Sequence, residues 1–377
     1  MRFWAVIVSV LAVGLVANPV PAASQRGSDE CATGDPDRRI EACTRIIRGR
    51  GASAKNRALA YSRRGNAYRE KGDHDRALAD YSQAIRLDRK NAGMHRDRGN
   101  VHVEKGDYDR AIADYSEAIR LNPSYARTYN NRAVAYSDKG DYERALADYR
   151  EAIRRSPMDT IAYYNRGKTH SDMGEFDRAI ADYSEVIRLD PKDDDVYKDR
   201  GNAYRDKGDY ERALADYNEA IRLDPKDADA YIDRGLAYLF SGSLAGAEAD
   251  LRQARELAPQ DAYAVLWLDI AERRKNVPHH LEQAIPQLDM SAWPAPVIRL
   301  FLNQATPAGV LAAANDSDPK TKQRQVCEAN FYGGELALLR GEREEAARLF
   351  RLAASDCPRG STEWSGASAE LRALGRQ

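Results

Sequence analysis

The sequence predicts an all-α solenoid of paired helices, with a partly irregular helical region toward the C-terminus. Three observations lead there. A unit of 34 residues recurs six times, over residues 58–91, 92–125, 126–159, 160–193, 194–227 and 228–261. A glycine column near the middle of each unit (Gly72, Gly106, Gly140, Gly174, Gly208, Gly242) divides it into two helical halves. Pro123, Pro157, Pro191, Pro225 and Pro259 close five units, and Arg89 takes that place in the first.

Each recurring residue has a physical task. Small residues at the eighth place (Gly65, Gly99, Ala133, Gly167, Gly201, Gly235) and an alanine column (Ala77, Ala111, Ala145, Ala179, Ala213, Ala247) let paired helices approach closely. Aromatic rings at places four, eleven and twenty-four fill the space between them, with Tyr61, His95, Tyr129, Tyr163, Tyr197 and Tyr231 in one column. The Lys-Gly-Asp segment ends the first helix and offers an aspartate to cap the second. This grammar resembles the tetratricopeptide (TPR) repeat. The resemblance implies a right-handed superhelix of helical hairpins that binds proteins or peptides, needs no cofactor and does no catalysis.

In chain order, residues 1–22 read as an export signal: Arg2 is the positive start, 3–17 are apolar, and cleavage is expected after Ala22. A retained membrane anchor is the alternative. Residues 31–57 form a truncated repeat and its Gly/Arg-rich connection, with Cys43 in the aromatic column. Residues 262–326 lose the repeat grammar but keep helical patterning over 262–275, 281–288, 296–304 and 308–314. The grammar returns at Cys327, and residues 327–377 read as a degenerate repeat with a capping helix. Cys31 with Cys43 and Cys327 with Cys357 form two local pairs, read as disulfides that suit an oxidising, periplasmic or secreted location. Free thiols or a metal site are the alternatives.

Charged residues make up 31% of the chain, yet its net charge is −1, so nothing global argues for nucleic acid or a membrane surface. An arginine column (Arg64, Arg98, Arg132, Arg166, Arg200, Arg234) accompanies an aspartate column (Asp80, Asp114, Asp148, Asp182, Asp216, Asp250). An ion pair inside each hairpin is the structural reading, and a ligand-binding arginine ladder the functional one. In TPR proteins the first helices line the concave wall. The resemblance therefore places Arg63, Asn66, Arg96, Asn100, Arg127, Asn131, Asn165, Lys168, Lys198 and Asn202 in a partner groove. Some TPR domains grip a C-terminal carboxylate with Lys, Asn, Asn, Lys and Arg. Arg96, Asn100 and Asn131 resemble the first three, but Ile161 and Asn165 stand in the charged places. The amides suit an extended backbone instead, and a merely solvated wall is the plain alternative.

At the sixth unit the wall turns apolar through Ile232, Leu236, Leu239 and Phe240, either as a partner pocket or as the seat of a following helix. Catalytic signals are weak. Ser317-x-x-Lys320 sits in a polar stretch without companion motifs, and His279-His280 lacks ligands at helical spacing. Export, the degenerate middle and the returning unit look loosely like bacterial envelope TPR adaptors. That likeness implies a scaffold for partner proteins, or a structural subunit of an export or secretion assembly.

Overall fold

A computed structural model describes residues 29–375, and the expected export signal lies outside them. The chain divides into two compact units between Lys139 and Gly140. Each is built from antiparallel helix pairs.

The first unit holds α1 (Pro36–Arg48), α2 (Ala54–Glu70), α3 (His74–Leu87), α4 (Ala92–Glu104), α5 (Tyr108–Leu121) and α6 (Ala126–Asp138). Cys31 is joined to Cys43, which stands on α1. The truncated repeat packs against α2 as a hairpin's second helix should. Arg64 Nη1 donates to Thr44 Oγ1 at 2.8 Å, with Thr44 just after Cys43 as Ser82 follows Tyr81.

The second unit starts with α7 (Tyr142–Arg155), α8 (Thr160–Asp172), α9 (Phe176–Leu189), α10 (Asp194–Lys207), α11 (Tyr210–Leu223), α12 (Ala228–Ser241) and α13 (Leu244–Leu257). It continues through α14 (Ala262–Arg274), α15 (Leu281–Ala284), a 3-10 turn at Ile285–Gln287, α16 (Ala295–Phe301) and α17 (Pro307–Ala313). It ends with α18 (Pro319–Leu339), α19 (Arg343–Asp356) and α20 (Thr362–Gly375). The helix expected to open at Cys327 begins earlier, because Asp318 caps it by accepting from Thr321 N at 2.8 Å and Pro319 holds the first turn. Lys320 therefore sits on a helix, not in a loop. Cys327 on α18 is joined to Cys357, just past α19.

The repeat grammar works as its chemistry requires. Gly72 (φ 74°) and Gly208 (φ 82°) take the left-handed conformation that ends a first helix, and Asp73 and Asp209 then cap the second by accepting from Arg76 N and Arg212 N. At the eighth place even one methyl is too much: a Cβ on Gly201 would stand 2.7 Å from the Tyr217 ring.

The two charge columns meet inside the hairpins. Arg64 grips Asp80, Arg98 Asp114, Arg166 Asp182, Arg200 Asp216 and Arg234 Asp250, each through Nε and Nη2 at 2.6–2.9 Å. The carboxylates are nearly buried (5–7% exposed), so an unmatched charge there would be costly. The fork's third nitrogen reaches back to the preceding repeat: Arg98 Nη1 to Ser82 Oγ at 3.2 Å, Arg200 Nη1 to Ser184 Oγ at 3.0 Å, Arg234 Nη1 to Asn218 Oδ1 at 2.7 Å. The column is thus structural, and it links neighbouring repeats as well as paired helices.

The apolar wall of the sixth repeat is a seat for later helices. Leu236 and Leu239 join a core with Trp267 of α14 and Phe331 and Tyr332 of α18, whose rings lie 5.6 and 5.5 Å from Trp267; Phe240 meets Trp267 edge-on at 6.1 Å. Helix α20 closes this core. A Cβ on Gly366 would lie 2.8 Å from Phe331 and 2.9 Å from Phe240. Arg274 of α14 ties the ends together, holding Glu335 of α18 at 2.5 Å and Glu370 of α20 at 2.7 Å.

Candidate partner-binding surfaces

In the first unit, the first helices α2, α4 and α6 bring Asn66, Arg96, Asn100, Arg127 and Asn131 to one open cavity of about 660 Å³. Five of the expected groove residues therefore share a surface. Arg63 lies on α2 but does not line that cavity. The amides are less free than the sequence reading supposed. Tyr81 donates its hydroxyl to Asn66 Oδ1, and Tyr115 donates to Asn100 Oδ1 at 2.8 Å. Burial pushes both phenols well above their usual pKa, so they stay donors and fix the amide carbonyls as acceptors. Asn131 Nδ2 donates to the same Asn100 oxygen at 2.9 Å. The wall is left with amide N–H donors from Asn66 and Asn100 beside the carbonyl oxygen of Asn131. That is the pattern an extended backbone can meet.

Charge and an aromatic ring complete this surface. Arg96 is held by Asp97 at 2.7 Å and lies 5.3 Å from the centre of the exposed Tyr125 ring. Arg69 pairs with Glu104 (Nε–Oε1 2.6 Å), and His74 Nδ1 approaches the same carboxylate at 3.4 Å. Arg127 is exposed, and no carboxylate of the described residues pairs with it. It is the wall's available positive charge.

The second unit disposes of its expected groove residues differently. Asn165 accepts on its backbone carbonyl from Thr169 Oγ1 at 2.9 Å, and Lys168 is exposed on α8. Asn202 Oδ1 accepts from Tyr217 at 2.8 Å. Lys198 Nζ lies 2.5 Å from Asp227 and 3.0 Å from Asp195. The three carboxylates that converge closely enough to suggest a metal, Asp194, Asp195 and Asp227, thus already have an ammonium among them. Lys198 and Asn202 line a second open chamber instead. It measures about 1080 Å³ and lies between α10, α12, α14, α18 and the chain at 360–363.

Sequence reasoning missed this chamber because its far side comes from residues without repeat grammar. Trp293 Nε1 and Tyr263 OH both donate to the buried Glu328, at 2.7 and 2.8 Å. Burial raises the pKa of Glu328, and burial with the Glu328 charge pushes Glu363 up to about 7. His279 and His280 are spoken for by separate carboxylates, Asp269 at 3.1 Å and Glu272 at 3.2 Å. Among the described residues no helix is long and apolar enough to cross a membrane.

Stacked helical hairpins with a polar wall define a repeat scaffold for protein interaction. The sequence model described as "TPR repeat" matches residues 65–106, 99–140 and 201–242, and those described as "Tetratricopeptide repeat" match 130–196 and 228–261. Together they run from 65 to 261, and the chain belongs to the tetratricopeptide-repeat proteins. The fold is shared with the C-terminal part of a TPR repeat-containing protein from Cytophaga hutchinsonii (TM-score 0.54, 19% identity, 65% of this chain and 98% of that one). It is shared too with a tetratricopeptide repeat protein from Parabacteroides merdae (TM-score 0.50, 21% identity, 66% and 96%). YrrB, described as a TPR protein with an unusual peptide-binding site, is 26% identical over 51% of this chain and 96% of its own, with a TM-score of 0.42. Comparison with curated proteins gave no match.

Proposed function

We propose that this chain is an exported, non-catalytic scaffold that holds an extended segment of a partner protein against the wall formed by α2, α4 and α6. The observation that carries this reading is the amide network there: buried tyrosines orient Asn66 and Asn100, so donors stand ready without an ordering cost at binding. Arg127 and the Arg96–Tyr125 stack favour a partner segment with a carboxylate side chain. The two disulfides support the periplasmic or secreted location that the 1–22 segment suggests.

A photo-crosslinking amino acid at Tyr125 tests the surface, against the same probe at Arg110 on a second helix. Adducts with envelope proteins are expected at Tyr125 alone. The double change Arg127→Ala with Asn131→Ala should abolish them, since neither side chain supports a buried tyrosine. Equal adducts at both positions, or adducts that survive the double change, would overturn the reading and favour a structural subunit that works through its outer face.

A further inference from the structure

The arginine column of the hairpins is broken at one place in the second unit. The third nitrogen of a column arginine finds its acceptor sixteen places earlier: Ser82 for Arg98, Ser116 for Arg132, Ser184 for Arg200 and Asn218 for Arg234. Sixteen places before Arg166 stands Arg150, a second cation where the pattern needs an oxygen. Arg166 still holds Asp182 through Nε and Nη2. Its Nη1 has no hydrogen-bonding partner among the described residues and is open to solvent.

Arg150 is exposed on α7, and no carboxylate of the described residues pairs with it. Arg252 of α13 occupies the same column and is matched, by Glu248 four places before it at 2.7 Å; four places before Arg150 stands Leu146. Arg150 and Arg166 line one cavity of about 300 Å³, together with Leu146, His170 and Arg178 of α9. Arg178 Nη1 donates to Glu175 at 2.8 Å, and His170 Nδ1 lies 2.7 Å from the same carboxylate, so Glu175 is already engaged. The first unit has the corresponding cavity, where Leu78, Ser82, Arg98, His102 and Arg110 stand in the same columns. There Ser82 takes the place of Arg150 and satisfies Arg98. The second unit thus has one guanidinium more and one acceptor fewer in the same frame.

We propose that this cavity binds a phosphoryl group. Two guanidiniums beside each other without an anion repel, and an oxyanion between them turns that repulsion into charge-assisted hydrogen bonds. The arginines come from three helices, α7, α8 and α9, and so approach from different sides. A carboxylate offers two oxygens in one plane, enough for a single fork, whereas a phosphoryl group offers three in a tetrahedral arrangement. The free fork of Arg150 takes two of them and Arg166 Nη1 the third. The inference does not depend on the peptide wall, because the cavity shares no residue with it.

Calorimetric titration of the full chain tests it, with inorganic phosphate as the free ion and glycerol 3-phosphate as the ester. One saturable site per chain is expected for phosphate; binding of the ester as well marks a site open to a phosphoryl group on a larger molecule. Arg150→Ser, which installs the residue found elsewhere in the column, should weaken binding at least tenfold. The same variant should melt no lower than the parent when phosphate is absent, since serine gives Arg166 Nη1 its acceptor. Added phosphate should raise the melting temperature of the parent but not of the variant. Arg110→Ala, in the corresponding cavity of the first unit, should leave the titration unchanged. The proposal is overturned if neither probe saturates below about 10 mM, or if Arg150→Ser binds as the parent does. It is also overturned if acetate binds as tightly as phosphate, which would assign the site to a carboxylate side chain of a partner.

Discussion

The arginine–aspartate pairs show why two charges can recur inside a hairpin that is otherwise apolar. At Arg200 the guanidinium fork is fully used, with two nitrogens on the aspartate and one on the preceding repeat. Asp216→Ala should therefore destabilise the protein by about 1–3 kcal/mol, because Arg200 keeps its burial without its acceptor. Glu219, on the same helix, meets Arg222 at the surface, and Glu219→Ala should leave the denaturation midpoint essentially where it is. Chemical denaturation of both variants checks this; equal losses would mean that the column is solvated. Six registers made these pairs legible in the sequence. The tyrosine–asparagine bond was missed, although a signal was present. Asn66, Asn100 and Asn202 each accompany a tyrosine fifteen places on, whereas in the sixth repeat Leu236 stands with Leu251. Those asparagines are part of each hairpin, so replacing Asn100 by alanine would damage folding as well as any groove.

Among the elements, the second helices were the easiest to read, because alanine, aspartate and tyrosine columns mark their buried face directly. The C-terminal helix α20 was expected as a cap, but its contacts were not legible. Ser365 donates to Asp206 of α10, and Trp364 meets Phe176 of α9 at 5.8 Å; no periodicity records such partners. This docking also sets a pH dependence. Burial, with the Glu328 charge, pushes Glu363 on α20 up to about 7 from an ordinary value of 4.5. A raised carboxylate binds its proton more tightly folded than unfolded, so its stabilising share is complete below about pH 4.5 and is lost as pH rises through about 7. Stability should fall by roughly 1–3 kcal/mol across that window. Denaturation at pH 5 and pH 8 checks it: Glu363→Gln should reduce the difference, with the buried Glu335, also raised to about 7, keeping its own share, and a parent protein equally stable at both would contradict it.

At the scale of the whole molecule, a repeat array gains stability from neighbour to neighbour, and its ends open first. The first unit fits that description, with each hairpin resting on the next. The second unit does not, because its last helix returns to repeats far back in the chain. Hydrogen exchange should show graded protection across residues 54–138 and a single, shared opening across 160–257 and 319–375. Removal of residues 358–377 should turn the latter into graded opening; unchanged cooperativity after truncation would argue against the tie.

Helix α20 reaches far back along the chain, 159 residues from Ser365 to Asp206, in a fold whose consecutive repeats meet within a few dozen. During synthesis the fourth, fifth and sixth repeats can form their hairpins as they emerge, but Asp206 and the faces of Phe240 and Phe331 wait for the final stretch of chain. Until then they remain uncovered and prone to wrong pairings. A chain shortened by a premature stop after α19 would therefore resemble a finished solenoid over most of its length, yet carry the unfinished surface that quality-control proteases and chaperones recognise.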